Sequence, residues 1–135
     1  MISFPVATRN NRATVIRDAI DAGGAAATLE VYAGTRPGTG GAITTQTLLG
    51  TVTFSYPCGT VSNGVLAFDA IAQDSAADAS GEAAWGRIKT SAGAFVADLD
   101  VGVTGSSADL KMNTTSVVAG APIIITSGAI AEGNA

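Results

Sequence analysis

Two groups of carboxylates stand at spacings that could do chemistry. Asp98 and Asp100 are two apart, which on an extended strand puts both side chains on one face, as a hydrolytic acid–base pair or a cation site requires. Asp74 and Asp78, with Glu82 four residues on, present acidic side chains along a polar stretch that a calcium ion could use. Neither group sits in a recognisable ligand loop. Asp98 and Asp100 also alternate with the apolar positions Phe95, Ala97, Leu99 and Val101, and that pattern predicts the solvent face of a half-buried strand.

The other reactive side chains narrow the chemistry further. The chain has no histidine, which excludes Ser-His-Asp and Cys-His constellations and removes the commonest general base and zinc ligand. Cys58, the only cysteine, lies in a Pro57-Cys58-Gly59 turn with no base or cation beside it in sequence, so it reads as a small hydrophobe at a strand end and no internal disulfide can form. Gly38-Thr39-Gly40-Gly41 has the glycines of a phosphate-binding loop without the lysine or the strand-to-helix setting. Asn113-Thr114-Thr115 matches a glycosylation acceptor, which has meaning only in a secretory pathway. No residue is assigned a catalytic, cofactor-binding or metal-binding role, and the expectation is a protein that is not an enzyme.

Charge bears on partners. With 13% charged residues and a formal net charge of −4, the chain cannot neutralise many phosphates, so direct nucleic-acid binding is not expected. Arg9, Arg12 and Arg17 all precede the first acidic residue, Asp18, and form a basic N-terminal segment suited to an acidic neighbour. The longest apolar stretch, 119–126, is too short for a bilayer and contains Pro122, and 1–7 lacks the order of a secretory signal. A soluble protein with no membrane partner is expected.

The elements that must carry these residues follow from periodicity. Residues 8–22 predict the one helix, capped by Thr8, Asn10 or Asn11, with Ala13, Ile16, Ala19 and Ile20 on one stripe and Gly23-Gly24 ending it. From residue 28 the period becomes two. Strands are predicted at 28–33, 48–56, 65–71, 83–90, 94–101, 109–112, 116–118 and 122–126, with 36–41 a mobile loop and Ser91-Ala92-Gly93 a hairpin turn. The whole is a single domain over 1–135, mainly β: an antiparallel β-sandwich or jelly-roll-like fold over 28–126 with one N-terminal α-helix and a loosely held tail at 127–135. Trp85 is the one large aromatic that could anchor either the core or an interface.

Several segments, taken in order, resemble small virion proteins of tailed bacteriophages and prophages. They are Ala7-Thr8-Arg9-Asn10-Asn11-Arg12, Ile20-Asp21-Ala22-Gly23, the run from Leu29-Glu30-Val31-Tyr32 to Arg36-Pro37, the run from Asp74-Ser75 to Ala84-Trp85, and Asp109-Leu110-Lys111-Met112-Asn113-Thr114-Thr115. The resemblance implies a head decoration or cement protein, assembled in the host cytoplasm, that sits on the outer surface of the head and binds the major capsid protein. It implies capsid contacts at Arg9, Arg12 and Arg36 and a homo-oligomer made through strand edges or Trp85. Other readings are a tail, baseplate or fibre-associated domain, and a carbohydrate-binding β-sandwich module.

Overall fold

The computed structural model describes residues 2–133. The helix, α1 (Val6–Ile20), starts two residues earlier than expected because Pro5 occupies its N-cap with φ −63° and ψ 155° and no side chain caps it. The expected caps lie inside the helix, and Asn10 instead accepts the Gly64 N–H at 2.7 Å. A 3₁₀ turn, Asp21–Gly23, follows, and Gly24 at φ +73° ends it with its N–H on the Asp21 carbonyl. Ala13 and Ile20 are buried and Ile16 packs on the core, whereas Ala19 faces out.

Among the described residues nine strands follow: β1 (Thr28–Ala33), β2 (Thr47–Thr53), β3 (Gly59–Ser62), β4 (Val65–Phe68), β5 (Gly81–Lys89), β6 (Phe95–Val103), β7 (Leu110–Met112), β8 (Ser116–Val117) and β9 (Ile125–Ala131). Their order is β2-β1-β5-β6-β7-β9-β4-β3, with β8 on β5. The protein is mainly β with one N-terminal helix, as the sequence predicts, and the strands form one curled sheet. The expectation of purely antiparallel pairing is corrected at one step, since β6 and β7 run parallel. Gly102 permits this: a Cβ there would collide with Ser106 Oγ and lie 2.9 Å from Ala108 Cβ, so only glycine lets the returning chain cross the strand before entering β7.

The free edge of β2 is covered by 72–78. Thr53 and Ala72 exchange backbone hydrogen bonds, Asp78 N–H bonds the Leu49 carbonyl at 2.7 Å, and the Asp74 carboxylate takes the Thr51 N–H at 3.0 Å. On its other side the segment bonds Ile123 and Ala121, so the sheet curls back toward β9. The edge is thereby protected from pairing with another chain. Inside the curl lie Leu29, Val31, Leu49, Val52, Leu66, Ile88, Leu110 and Ile123, and α1 lies against β3 and β4.

The expected tail is also corrected. Residues 127–131 belong to β9 and pair with β7 and β4, because Gly128 lets Leu110 and Phe68 approach where a Cβ would be 2.6 and 2.9 Å from them. The last part of the expected tail, 134–135, lies outside the described residues.

Candidate functional site

The polar chemistry of the molecule gathers on the outward face of β2-β1-β5-β6. Cross-strand pairing places three rows there: Leu48–Tyr32–Trp85–Asp100, then Thr51–Glu30–Arg87–Asp98, then Thr53–Thr28–Lys89–Phe95. Register shifts after Val31, Tyr32 and Ile88 leave Leu49, Ala84 and Val96 as the extra residues of three bulges. The last bulge turns Val96 toward the core and Phe95 outward, opposite to the simple alternation expected for β6.

At the centre, Arg87 grips Asp98 in a two-pronged pair. Arg87 Nε donates to Asp98 Oδ1 at 2.7 Å and Nη2 to Oδ2 at 3.0 Å, with the two side chains only 7% and 5% exposed. The guanidinium sits between two rings, 5.4 Å from the centre of Trp85 and 5.2 Å from that of Phe95. Trp85 stacks on Tyr32 with centroids 4.6 Å apart and planes 12° from parallel. Beyond it, Tyr32 Oη donates to Glu30 Oε2 at 2.7 Å and Lys89 Nζ to Glu30 Oε1 at 2.9 Å.

A loop closes over this face. Arg87 Nη1 donates to the Gly41 carbonyl at 2.9 Å, Gly40 N–H donates to Asp98 Oδ2 at 3.2 Å, and Arg36 pairs with Asp100 at 3.1 Å. The loop expected to be mobile is therefore fastened to the sheet, and Asp98, expected on a solvent face, is covered. A cleft of about 450 Å³ remains between Arg36, Pro37, Gly38, Thr39 and Asp98.

The electrostatics fix what this cluster can do. Burial alone would raise the Asp98 pKa, but the hydrogen bonds from Arg87 and the Gly40 N–H outweigh it and hold the carboxyl below its ordinary value. Arg87 is raised in turn, chiefly by its bond to Asp98. Burial, reinforced by Glu30, pushes Tyr32 up to about 12. A general base working near neutrality needs the opposite shift, and Asp100, exposed on Arg36, does not share the environment of Asp98. The polar set is closed with one exception: Trp85 Nε1 is buried without a hydrogen-bond partner.

The remaining sequence-derived sites lie elsewhere. Arg9 Nε donates to the Glu132 carbonyl at 2.7 Å and Arg12 pairs with the Glu132 carboxylate at 2.8 Å, so both tie α1 to the end of β9. Arg36 is brought to the polar face and kept apart from them. Trp85 is 1% exposed and its ring is covered by Tyr32 and Arg87 of its own chain, which corrects its assignment to an oligomer interface: it offers no surface to a second copy. Cys58 is fully buried, its thiol pushed up to about 12 by burial and the adjacent Asp21. Asp74 holds backbone N–H groups of Thr51 and Ala76, Glu82 accepts from Thr115 Oγ1, and among the described residues no group of three or more Cys, Asp or Glu could hold a metal.

Sequence reasoning missed Glu30, Arg87 and Lys89 as partners in this network. Their signal is opposite charge at outward positions of neighbouring strands. No family model, curated protein or solved structure matches the chain. No helix among the described residues is long and apolar enough to cross a membrane.

Proposed function

We propose that this chain is a building block of a tailed-bacteriophage particle, a decoration or cement protein that sits on the outer surface of the head and bridges neighbouring major capsid subunits. The sequence resemblance in five ordered segments motivates the reading, and one structural observation carries it furthest. The N-terminal segment that the resemblance sets against the capsid protein presents apolar side chains outward, with Ile2 65% and Val6 47% exposed, beside Arg12, whose guanidinium lies 5.3 Å from the Phe4 ring centre. Apolar side chains flanking a half-exposed arginine suit a small protein–protein contact. Such a contact is weak alone and gains by repetition over a lattice. Self-association in this reading uses surfaces other than Trp85.

A cryo-electron microscopy reconstruction of the particle that carries the chain tests this directly. Density on the outer shell between capsomers, with residues 2–12 at the contact, is the expected result. Density confined to the tail would overturn the head assignment, and equal heat resistance of heads with and without the protein would overturn the cementing role.

A further inference from the structure

We infer that Asn63 is a site of spontaneous deamidation and that α1 holds the reaction in check through Asn10, which engages the nitrogen that must attack. Asn63-Gly64 is the only Asn-Gly pair in the chain, and glycine leaves that nitrogen unshielded by a side chain. Asn63 is exposed at the tip of the β3–β4 hairpin. In the reaction the Gly64 nitrogen attacks Asn63 Cγ: the N–Cγ bond forms, the Cγ–Nδ2 bond breaks, and Nδ2 leaves as ammonia with the Gly64 proton. Water then opens the five-membered imide at either carbonyl. One product is aspartate; the other is isoaspartate, whose longer main chain no longer fits a two-residue turn.

The fold opposes the attack in two ways. The Gly64 N–H donates to Asn10 Oδ1 at 2.7 Å and Gly64 is buried, so the proton that a base must remove is already engaged and withdrawn from solvent. Positive φ at both central residues makes this a type I′ turn, which turns the Gly64 nitrogen away from the Asn63 side chain. Ring closure therefore requires rotation about the Asn63 Cα–C bond, and that rotation draws Gly64 off its partners. Its carbonyl accepts the Glu132 N–H at 2.7 Å, and a Cβ on it would lie 2.7 Å from Arg9 Nε and 2.8 Å from the Glu132 carbonyl oxygen. Arg9 Nε donates to that same oxygen, so α1, the hairpin and the end of β9 close on one residue.

Mass-spectrometric peptide mapping of the intact chain, aged in mildly alkaline buffer with and without denaturing guanidinium, tests the inference. The folded chain is expected to deamidate at Asn63 at least about tenfold more slowly than the unfolded one, and equal rates would mean that the fold imposes no check. Asn10→Ala frees the Gly64 N–H and is expected to speed the folded chain's reaction about tenfold, the factor that one ordinary hydrogen bond represents. Asn10→Asp keeps an acceptor oxygen in place and is expected to stay slow. No acceleration in Asn10→Ala, or equal acceleration in both variants, would overturn the role of Asn10. Hydrogen exchange at the wild-type Gly64 amide decides the case even if Asn10→Ala does not fold. Retardation of at least about tenfold relative to the unfolded chain is expected there, and exchange as fast as in the unfolded chain would overturn the inference.

Discussion

Two arginine–carboxylate pairs fasten distant parts of this chain, and they differ in almost everything but chemistry. Arg87–Asp98 lies under a loop, makes two parallel bonds, holds its guanidinium beside two rings and is nearly buried. Arg12–Glu132 joins α1 to the end of β9 with the Arg12 side chain 49% exposed and a single contact at 2.8 Å. Desolvation makes the first pair expensive to break, since removing either partner strands a nearly buried charge. Water and salt screen the second, so its loss strands nothing. Ion pairs in this protein are thus weighed by burial and geometry, and the count of them says little.

The largest effect that would test this difference comes from Asp98→Ala. It leaves the Arg87 guanidinium buried without its anion, and a loss of about 3–5 kcal/mol in urea unfolding is expected. The double variant Arg87→Met, Asp98→Leu removes both charges and is expected to recover most of that loss, because well-packed apolar groups replace a buried pair at little cost. A loss below about 1 kcal/mol for the single variant would mean that Arg87 escapes to water, and the contrast between the two pairs would collapse.

Acid sharpens the comparison with a smaller effect. The folded protein keeps Asp98 ionised to lower pH than the unfolded chain, whose value is about 3.8. The carboxylate's contribution is therefore fully present above that value and is lost as pH falls from it through the lower folded value. Wild-type stability is expected to drop more steeply below pH 3.8 than that of Asp98→Asn, measured by urea unfolding at stepped pH. Parallel slopes for the two proteins would show that Asp98 does not carry the acid response.

Much of this face could be read from the sequence, and what could not is explained by the bulges. Alternation located β1 at residues 28–33 without error and put Asp98 and Asp100 on one strand face. A regular hairpin from Ser91-Ala92-Gly93 pairs Lys89 with Phe95 but then sets Arg87 opposite Ala97; only the extra residue Val96 slides Asp98 into place. A one-residue bulge leaves no mark in composition or period. The β3–β4 hairpin carries its own signal: Asn63-Gly64, at φ 51° and 77°, is the two-residue turn signature that joins Ser62 to Val65. The loop at 36–41 departs from the expected mobility for a different reason. Glycine and proline predict a turn-rich loop correctly, but whether it is fastened depends on Arg87, Asp98 and Asp100 arriving beneath it from two other strands.

The smallest expected effect belongs to the exposed pair. Arg12→Ala removes the contact with Glu132 and the guanidinium above Phe4, and about 0–1 kcal/mol is expected at low salt, since the neighbouring Arg9 still holds the Glu132 carbonyl. In roughly 1 M salt, where the screening length falls to about 3 Å, even that difference should vanish, while the Asp98→Ala loss should persist because no counter-ion reaches Arg87. Urea unfolding of both variants at low and high salt separates these outcomes. An Arg12→Ala loss above about 2 kcal/mol that survived high salt would place the helix clamp on the same footing as the buried pair, and burial would no longer explain the difference between them.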